Sequence, residues 1–195
     1  METSLVFSAF FYFVSALVLA LLEIETEGKF GWGAKLPTWR KNNRLTEKLI
    51  PGRPATGYWL FVNLLVILFF HSSFFNGQSW SLEAEATAFS HWLIFLPVWD
   101  FCWFVFNPNY KLKNFKQENI AWFKGTKWFF GLMPMDYIFG ILGSSAVAYY
   151  LDYLNNGWDN LIFNGCFVAL IVPAIIFSPL YHRLYWRLRK DQKEA

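Results

Sequence analysis

The chain has 195 residues, of which 55% are hydrophobic, 22% aromatic and only 16% charged, and its formal net charge is +3. An average soluble domain carries roughly 25% charged residues, and an unfolded chain is poor in apolar residues, so this composition excludes a disordered protein. The two cysteines exclude a small scaffold held together by disulfides.

The apolar residues form long blocks, a pattern that is typical of a polytopic helical membrane protein. A bilayer core about 30 Å thick requires roughly 20 apolar helical residues, because each adds about 1.5 Å. The predicted spans are 4–22, 57–75, 84–106, 133–154 and 161–181. No basic region precedes the first block, so we expect it to be a retained span and not a cleaved secretory signal. The predicted fold is an all-α integral membrane protein, one domain with a bundle of about five transmembrane helices.

The basic residues predict how this bundle is oriented. All 17 Lys and Arg residues lie between spans one and two, between spans three and four, or after span five. Basic residues remain on the cytoplasmic side of a membrane, which places the N-terminus outside and the C-terminus in the cytoplasm. We expect a multi-pass protein of a bacterial inner (plasma) membrane, in contact with membrane lipids. The positive charge is thus explained by topology and does not predict nucleic-acid binding.

The long connection between spans three and four has an unusual composition. Residues 117–131 mix tryptophan and phenylalanine with two lysines. Such a mixture suits a helix that lies in the headgroup layer, so the sequence predicts an interfacial amphipathic segment here. Most of the eleven tryptophans lie near span ends or in connections, where an aromatic belt is expected.

Ionisable residues inside the spans are the best indication of function. Asp100 lies roughly 9 Å inside the cytoplasmic end of the third span, where a charged group is costly and tends to face protein or water. Spans one, four and five carry further acids or an imidazole at a similar depth. The predicted cluster is Glu23, Glu27, Asp100, Asp136 and His182, ringed by Arg40 and Arg183.

This cluster predicts two kinds of chemistry. Carboxylates suit Mg²⁺ or Mn²⁺, and an added imidazole admits Zn²⁺ or Fe²⁺, so a divalent metal is the cofactor to consider. The predicted metal ligands are Glu23, Glu27, Asp100 and His182. The predicted catalytic residues are Asp100, Asp136 and His182, acting as acid and base.

A structural interpretation of the same residues stays open. Asp136 follows Pro134, so it can serve only to stabilise the start of the fourth helix. Glu23 and Glu27 can be solvated, and His182 can contact lipid headgroups alone.

A weaker outer set consists of His71, Glu83 and His91, which lie at similar depth near the opposite face of the membrane. Two imidazoles and a carboxylate are possible metal ligands. However, Glu83 is in the first turn after Ser81, where acids are ordinary helix-start residues.

We expect an enzyme that acts on a lipid or isoprenoid at the cytoplasmic leaflet, assisted by a metal. One alternative is a small-molecule binder or transporter, although no internal repeat is visible. Another is an accessory structural subunit of a membrane complex. The expected partners are therefore lipids, a second copy of the chain or another membrane protein.

Overall fold

Seven α-helices and two small two-stranded sheets make up the part of the chain that the computed structural model describes, residues 2–50, 53–120 and 125–190. In chain order they are α1 (Glu2–Glu27), β1 (Arg40–Lys41), α2 (Arg44–Leu49), β2 (Ala55–Thr56), α3 (Gly57–Phe75), α4 (Leu82–Phe106), β3 (Trp128–Phe129), β4 (Met133–Pro134), α5 (Met135–Leu154), α6 (Asp159–Ala169) and α7 (Ile171–Leu188). The all-α prediction is confirmed, since each sheet pairs only two residues with two.

Four helical segments are long and apolar enough to cross a membrane: Ser4–Glu27, Gly57–Phe75, Leu82–Phe106 and Asp159–Leu188. They correspond to predicted spans one, two, three and five. The fourth predicted span forms α5, which has 20 residues but is not among these four. Its first turn holds Asp136, and its last turn holds Asp152 and Tyr153, so it is less apolar than the others.

Helix α4 lies at the centre of the bundle. Of its apolar stretch 61% is buried, compared with 11% for α3 and 22% for α1. Phe95 of α4 packs against Phe70 of α3, with ring centroids 5.2 Å apart, and is stacked with Phe167 of α6 at 6.4 Å. The core is thus built largely from aromatic rings, which meet in edge-on and offset arrangements.

Helices α4 and α5 run antiparallel in close contact. Pro97 lacks an N–H group and leaves the carbonyl of Leu93, four residues before it, without its usual helical partner. Gly140 of α5 lies against this position: a Cβ atom there would be 2.8 Å from the Leu93 oxygen and 3.2 Å from the Pro97 ring. Glycine therefore permits the two backbones to approach.

A buried polar network joins α4, α5 and α6. The Ser90 hydroxyl donates to the Ser144 carbonyl at 3.0 Å, and the Asn164 amide donates to the Ser144 hydroxyl at 2.9 Å. All three residues are buried. Because unpaired polar groups are costly in an apolar core, the network fixes the register of the three helices.

Helix α1 runs parallel to α4. At one end, the Asn107 amide donates to the Gly28 carbonyl at 2.7 Å, and farther along Tyr12 lies 5.6 Å from the ring of His91. The end that contains Gly28 and Asn107 is called the basic end. In the described part of the chain, every Lys and Arg lies in the connections at this end, in the last two turns of α7 or directly after α7.

Two details of the structure refine the sequence prediction. The fifth span, Asp159–Leu188, is divided at Leu170 into α6 and α7, close to Pro173, which has no N–H group to donate to the helix. The segment 117–131 has only a 3₁₀ turn at Gln117–Asn119 and the strand β3 in its described part, with residues 121–124 outside the description. Gly131, with a φ of +72°, turns the chain from β3 into β4, so this end of the segment is a hairpin and not a helix.

Candidate functional site

A cavity of about 510 Å³ lies at the basic end of the bundle. Four carboxylate residues line it, and all four belong to the cluster predicted from the sequence: Glu23, Glu27, Asp100 and Asp136. We call this space the acidic cavity. The structure therefore brings together these four side chains from α1, α4 and α5, as the sequence predicted.

Asp100 and Tyr137 form a hydrogen-bonded pair in the wall of the acidic cavity. Tyr137 is 8% exposed, and its hydroxyl donates to the Oδ2 atom of Asp100. The pair joins α4 to the first turn of α5, close to the contact at Gly140. Asp136, one residue earlier, is exposed and lies at the rim of the cavity.

Glu23 and Glu27 of α1 contribute the opposite wall. The Tyr58 hydroxyl of α3 donates to Glu23 at 3.1 Å. Glu27 is buried and accepts the backbone N–H of Gly33. The connection that follows α1 therefore returns to the acidic cavity because the Glu27 carboxylate binds its backbone.

This return requires an uncommon backbone conformation. Gly28, Gly31, Trp32 and Gly33 all have positive φ, between 56° and 63°. Glycine adopts this region at little cost, but tryptophan does so only when its surroundings hold it there. The Trp32 indole donates to the Pro54 carbonyl at 3.0 Å and so places its ring in the cavity wall.

Arg53 is the one basic residue among the described residues that line the acidic cavity. Its guanidinium carbon lies 4.1 Å from the centre of the Trp32 ring, in cation–π geometry. Burial lowers the pKa of Arg53 from its usual value, and the charges of Asp100 and Asp136 act in the opposite direction. Arg53 was not predicted because it lies in an irregular connection, where helical periodicity gives no information about position.

The basic residues chosen from the sequence have other positions. Arg40 donates to the carbonyls of Gly33, Ala34 and Leu36 at 2.7, 3.0 and 3.1 Å. It therefore stabilises the connection after α1 without lining the cavity. Arg183 is exposed on α7.

His182 is not brought to the acidic cavity. Its Nε2 atom lies 3.0 Å from the carbonyl oxygen of Val105, to which it donates, and His182 is absent from the cavity lining. In the described residues no group of three or more His, Cys, Asp or Glu side chains is arranged to hold a metal ion. The predicted ligand set that combined His182 with the three acids is thus not assembled.

The weaker outer set is also distributed over different surroundings. His71 lies 3.0 Å from Glu85 and not beside Glu83, which is exposed. His91 packs against the Phe163 ring with centroids 4.0 Å apart. These contacts agree better with the structural interpretation of the outer residues than with a metal site.

The acidic cavity changes character along its length. Near the basic end it is lined by the carboxylates and Arg53. One or two helical turns deeper its walls are mainly apolar, with Val62 of α3, Leu93 and Leu96 of α4, and Phe139 of α5, and with Asn63 of α3 as a polar residue. The space therefore matches a molecule with a polar head and an apolar body.

No family model, no curated protein and no solved structure matches this chain. Any function must therefore be argued from the residues of the acidic cavity.

Proposed function

We propose that the chain is an integral membrane protein with five crossing helices, whose basic end faces the cytoplasm of a bacterium. The support comes from its surface and its charges. Large apolar side chains are exposed on the long helices, among them Phe7 at 73%, Leu142 at 62% and Ile176 at 66%. Such continuous apolar exposure is rare on soluble monomers and normal against lipid tails.

A reporter fusion tests this orientation. A cytoplasmic reporter joined after Ala195 should be active, and a periplasmic one should be inactive, because five crossings place the two termini on opposite sides. The reverse pattern would contradict the proposal. An untagged chain that stays monodisperse without detergent would also contradict it.

We propose further that the acidic cavity binds a lipid or isoprenoid from the membrane. The observation that carries this proposal is the gradient from carboxylates to apolar walls within one space. Leu93 and Asp100 both line the cavity and are seven residues apart on α4, which is about 10 Å along the helix. A headgroup and the first part of an acyl or prenyl chain fit this distance.

The walls also supply an entrance from the membrane. Phe139 lines the cavity and is 65% exposed, so this wall of the cavity reaches the outer surface of the bundle beside α5. A ligand that is already dissolved in the bilayer enters here without passing through water.

An enzyme that acts on the bound lipid is the second candidate, favoured by one contact. The hydroxyl of Tyr137 and the carboxyl of Asp100 share a hydrogen bond at the cavity wall. Such a pair can hold and transfer a proton, which is the chemistry of general acid–base catalysis. This candidate retains Asp100 and replaces His182 by Tyr137 among the predicted catalytic residues.

Filling the apolar part of the cavity tests the binding proposal. Val62→Trp adds bulk inside the cavity, and Leu65→Trp adds the same bulk on α3 at a residue that is 60% exposed and does not line the cavity. Native mass spectrometry of the purified protein should detect a retained lipid in the wild type and in the control. Val62→Trp should lose it while its unfolding temperature stays close to that of the control. Equal retention in both variants would refute the proposal.

A further inference from the structure

We infer that the headgroup bound in the acidic cavity carries a positively charged amine. This inference rests on the proposed binding function and specifies the class of its ligand. It starts from the charges that line the space. Four carboxylate residues face a cavity in which the described residues supply one guanidinium, that of Arg53. A cationic headgroup would complete the charge balance in a partly apolar site, where uncompensated charge is most costly.

The aromatic walls support the same class of ligand. Trp32, Trp59, Trp99 and Trp103 all line the acidic cavity, together with the two tyrosines that donate to its carboxylates. Aromatic faces attract cations, and a set of rings beside carboxylates is the arrangement that recognises ammonium groups. Rings alone would suit many apolar ligands, but rings combined with acids favour a cation.

The cavity already binds one cation in this way. The guanidinium of Arg53 lies over the Trp32 ring at 4.1 Å, within the electrostatic field of Asp100 and Asp136. The chain's own side chain therefore demonstrates the interaction that we assign to the ligand.

The indole nitrogen of Trp99 is incompletely hydrogen-bonded. Trp99 is 8% exposed, and its nitrogen lies beside Glu23, but the two do not form a hydrogen bond of normal geometry. A buried N–H group that lacks a well-formed hydrogen bond is uncommon in proteins. An oxygen atom next to the amine of the bound headgroup would accept this hydrogen bond.

An anionic headgroup fits the same site poorly. A phosphate without an amine would face four carboxylates and gain a single guanidinium partner. Since like charges repel strongly where water is scarce, the cavity selects against such a ligand.

Three amphiphiles with the same chain separate these possibilities: dodecylamine, dodecanol and dodecyl phosphate. Their binding to the full chain in a nonionic detergent is measured by isothermal titration calorimetry. We expect dodecylamine to bind at least about tenfold more tightly than the other two, which corresponds to about 1.4 kcal/mol. If the alcohol or the phosphate binds as tightly as the amine, the inference is wrong and the proposed lipid-binding function stands. If none of the three binds, the proposed function itself is wrong.

Variants locate the binding within the acidic cavity. Asp100→Asn should weaken dodecylamine binding by roughly tenfold, the effect expected for losing a charged partner in a partly buried site. Asp136→Asn should weaken it less, by roughly two- to threefold, because Asp136 lies at the exposed rim of the cavity. Glu83→Gln removes an exposed carboxylate from the other end of α4 and should leave affinity unchanged. Asp136 is exposed, so its variant is expected to fold even if Asp100→Asn does not. Unchanged affinity in a folded Asp136→Asn variant, or equal loss in Glu83→Gln, would overturn the assignment.

Discussion

Replacing Gly140 by alanine should weaken the contact between α4 and α5 that shapes the acidic cavity. The new Cβ atom would lie 2.8 Å from the Leu93 carbonyl oxygen and 3.2 Å from two atoms of the Pro97 ring. Both neighbours are rigid, because one belongs to the backbone and the other to a proline ring. The helices must therefore separate by several tenths of an ångström, which also moves Tyr137 relative to Asp100.

The change in the free energy of unfolding on replacing Gly140 by alanine is the sum of two opposing effects. Overpacking in a closely packed core costs about 1–3 kcal/mol, while alanine gains about 1 kcal/mol over glycine in a helix. The middle of the first range less the helical gain leaves an expected net loss of about 1 kcal/mol in the free energy of unfolding. Gly165→Ala in α6 is the matched control, because its Cβ would meet no atom within 4 Å and only the helical gain remains.

Thermal unfolding of both variants in the same detergent measures this difference. Gly140→Ala should unfold several degrees below the wild type, and Gly165→Ala at or slightly above it. The amine affinity of Gly140→Ala should fall as well, since the cavity wall moves. An unfolding temperature for Gly140→Ala equal to that of Gly165→Ala would refute the reasoning from close approach.

Three further substitutions test individual contacts. Asp152→Ala removes the buried carboxylate that accepts the backbone N–H groups of Asn160 and Leu161, both at 2.9 Å, at the start of α6. The free energy of unfolding should fall by about 2 kcal/mol. An unchanged unfolding temperature would contradict this. Arg40→Ala removes the side chain that donates to the carbonyls of Gly33, Ala34, Leu36 and Thr38, and limited proteolysis should then cut residues 33–36 faster than in the wild type. Tyr137→Phe should lower the free energy of unfolding by about 1–3 kcal/mol, because Asp100 loses this hydrogen-bond donor. Adding Asp100→Asn to Tyr137→Phe should lower it little further. If the two losses are additive in a double-mutant cycle, the two side chains are energetically independent.

The helices of this fold follow from apolar composition, but their interruptions do not. Long apolar blocks locate α1, α3 and α4 closely, because length and hydropathy are local properties. The break between α6 and α7 depends on Pro173, which in other contexts only bends a helix. The hairpin of β3 and β4 depends on the positive φ of Gly131, while the aromatic composition of that segment equally suits an interfacial helix.

The site shows the same division between regular and irregular structure. Glu23, Glu27 and Asp100 were predicted to converge, since helical rotation and a common depth fix their positions once the helices are parallel. His182 lies at a suitable depth but donates to Val105, a choice that depends on how α7 packs after its break. Arg53 was missed because it reaches the cavity from a connection, whose path is set by the bonds of Trp32 and Glu27 and not by periodicity.

The packing of α5 bears on the proposal that five helices cross the membrane, since α5 is not among the four segments that are long and apolar enough to do so. Ser144 contacts Ser90, and Tyr137 contacts Asp100, so α5 accompanies α4 over ten residues, or about 15 Å. If α4 crosses a membrane as we propose, a helix joined to it over this length lies at the same depth. The acidic side chains of α5 would be only weakly unfavourable in a membrane, because they have polar surroundings. Asp136 lies at the rim of the cavity, and Asp152 accepts hydrogen bonds from the first N–H groups of α6. Lower hydropathy in α5 is thus compatible with a crossing, because this helix obtains from its neighbours the polar partners that lipid cannot provide.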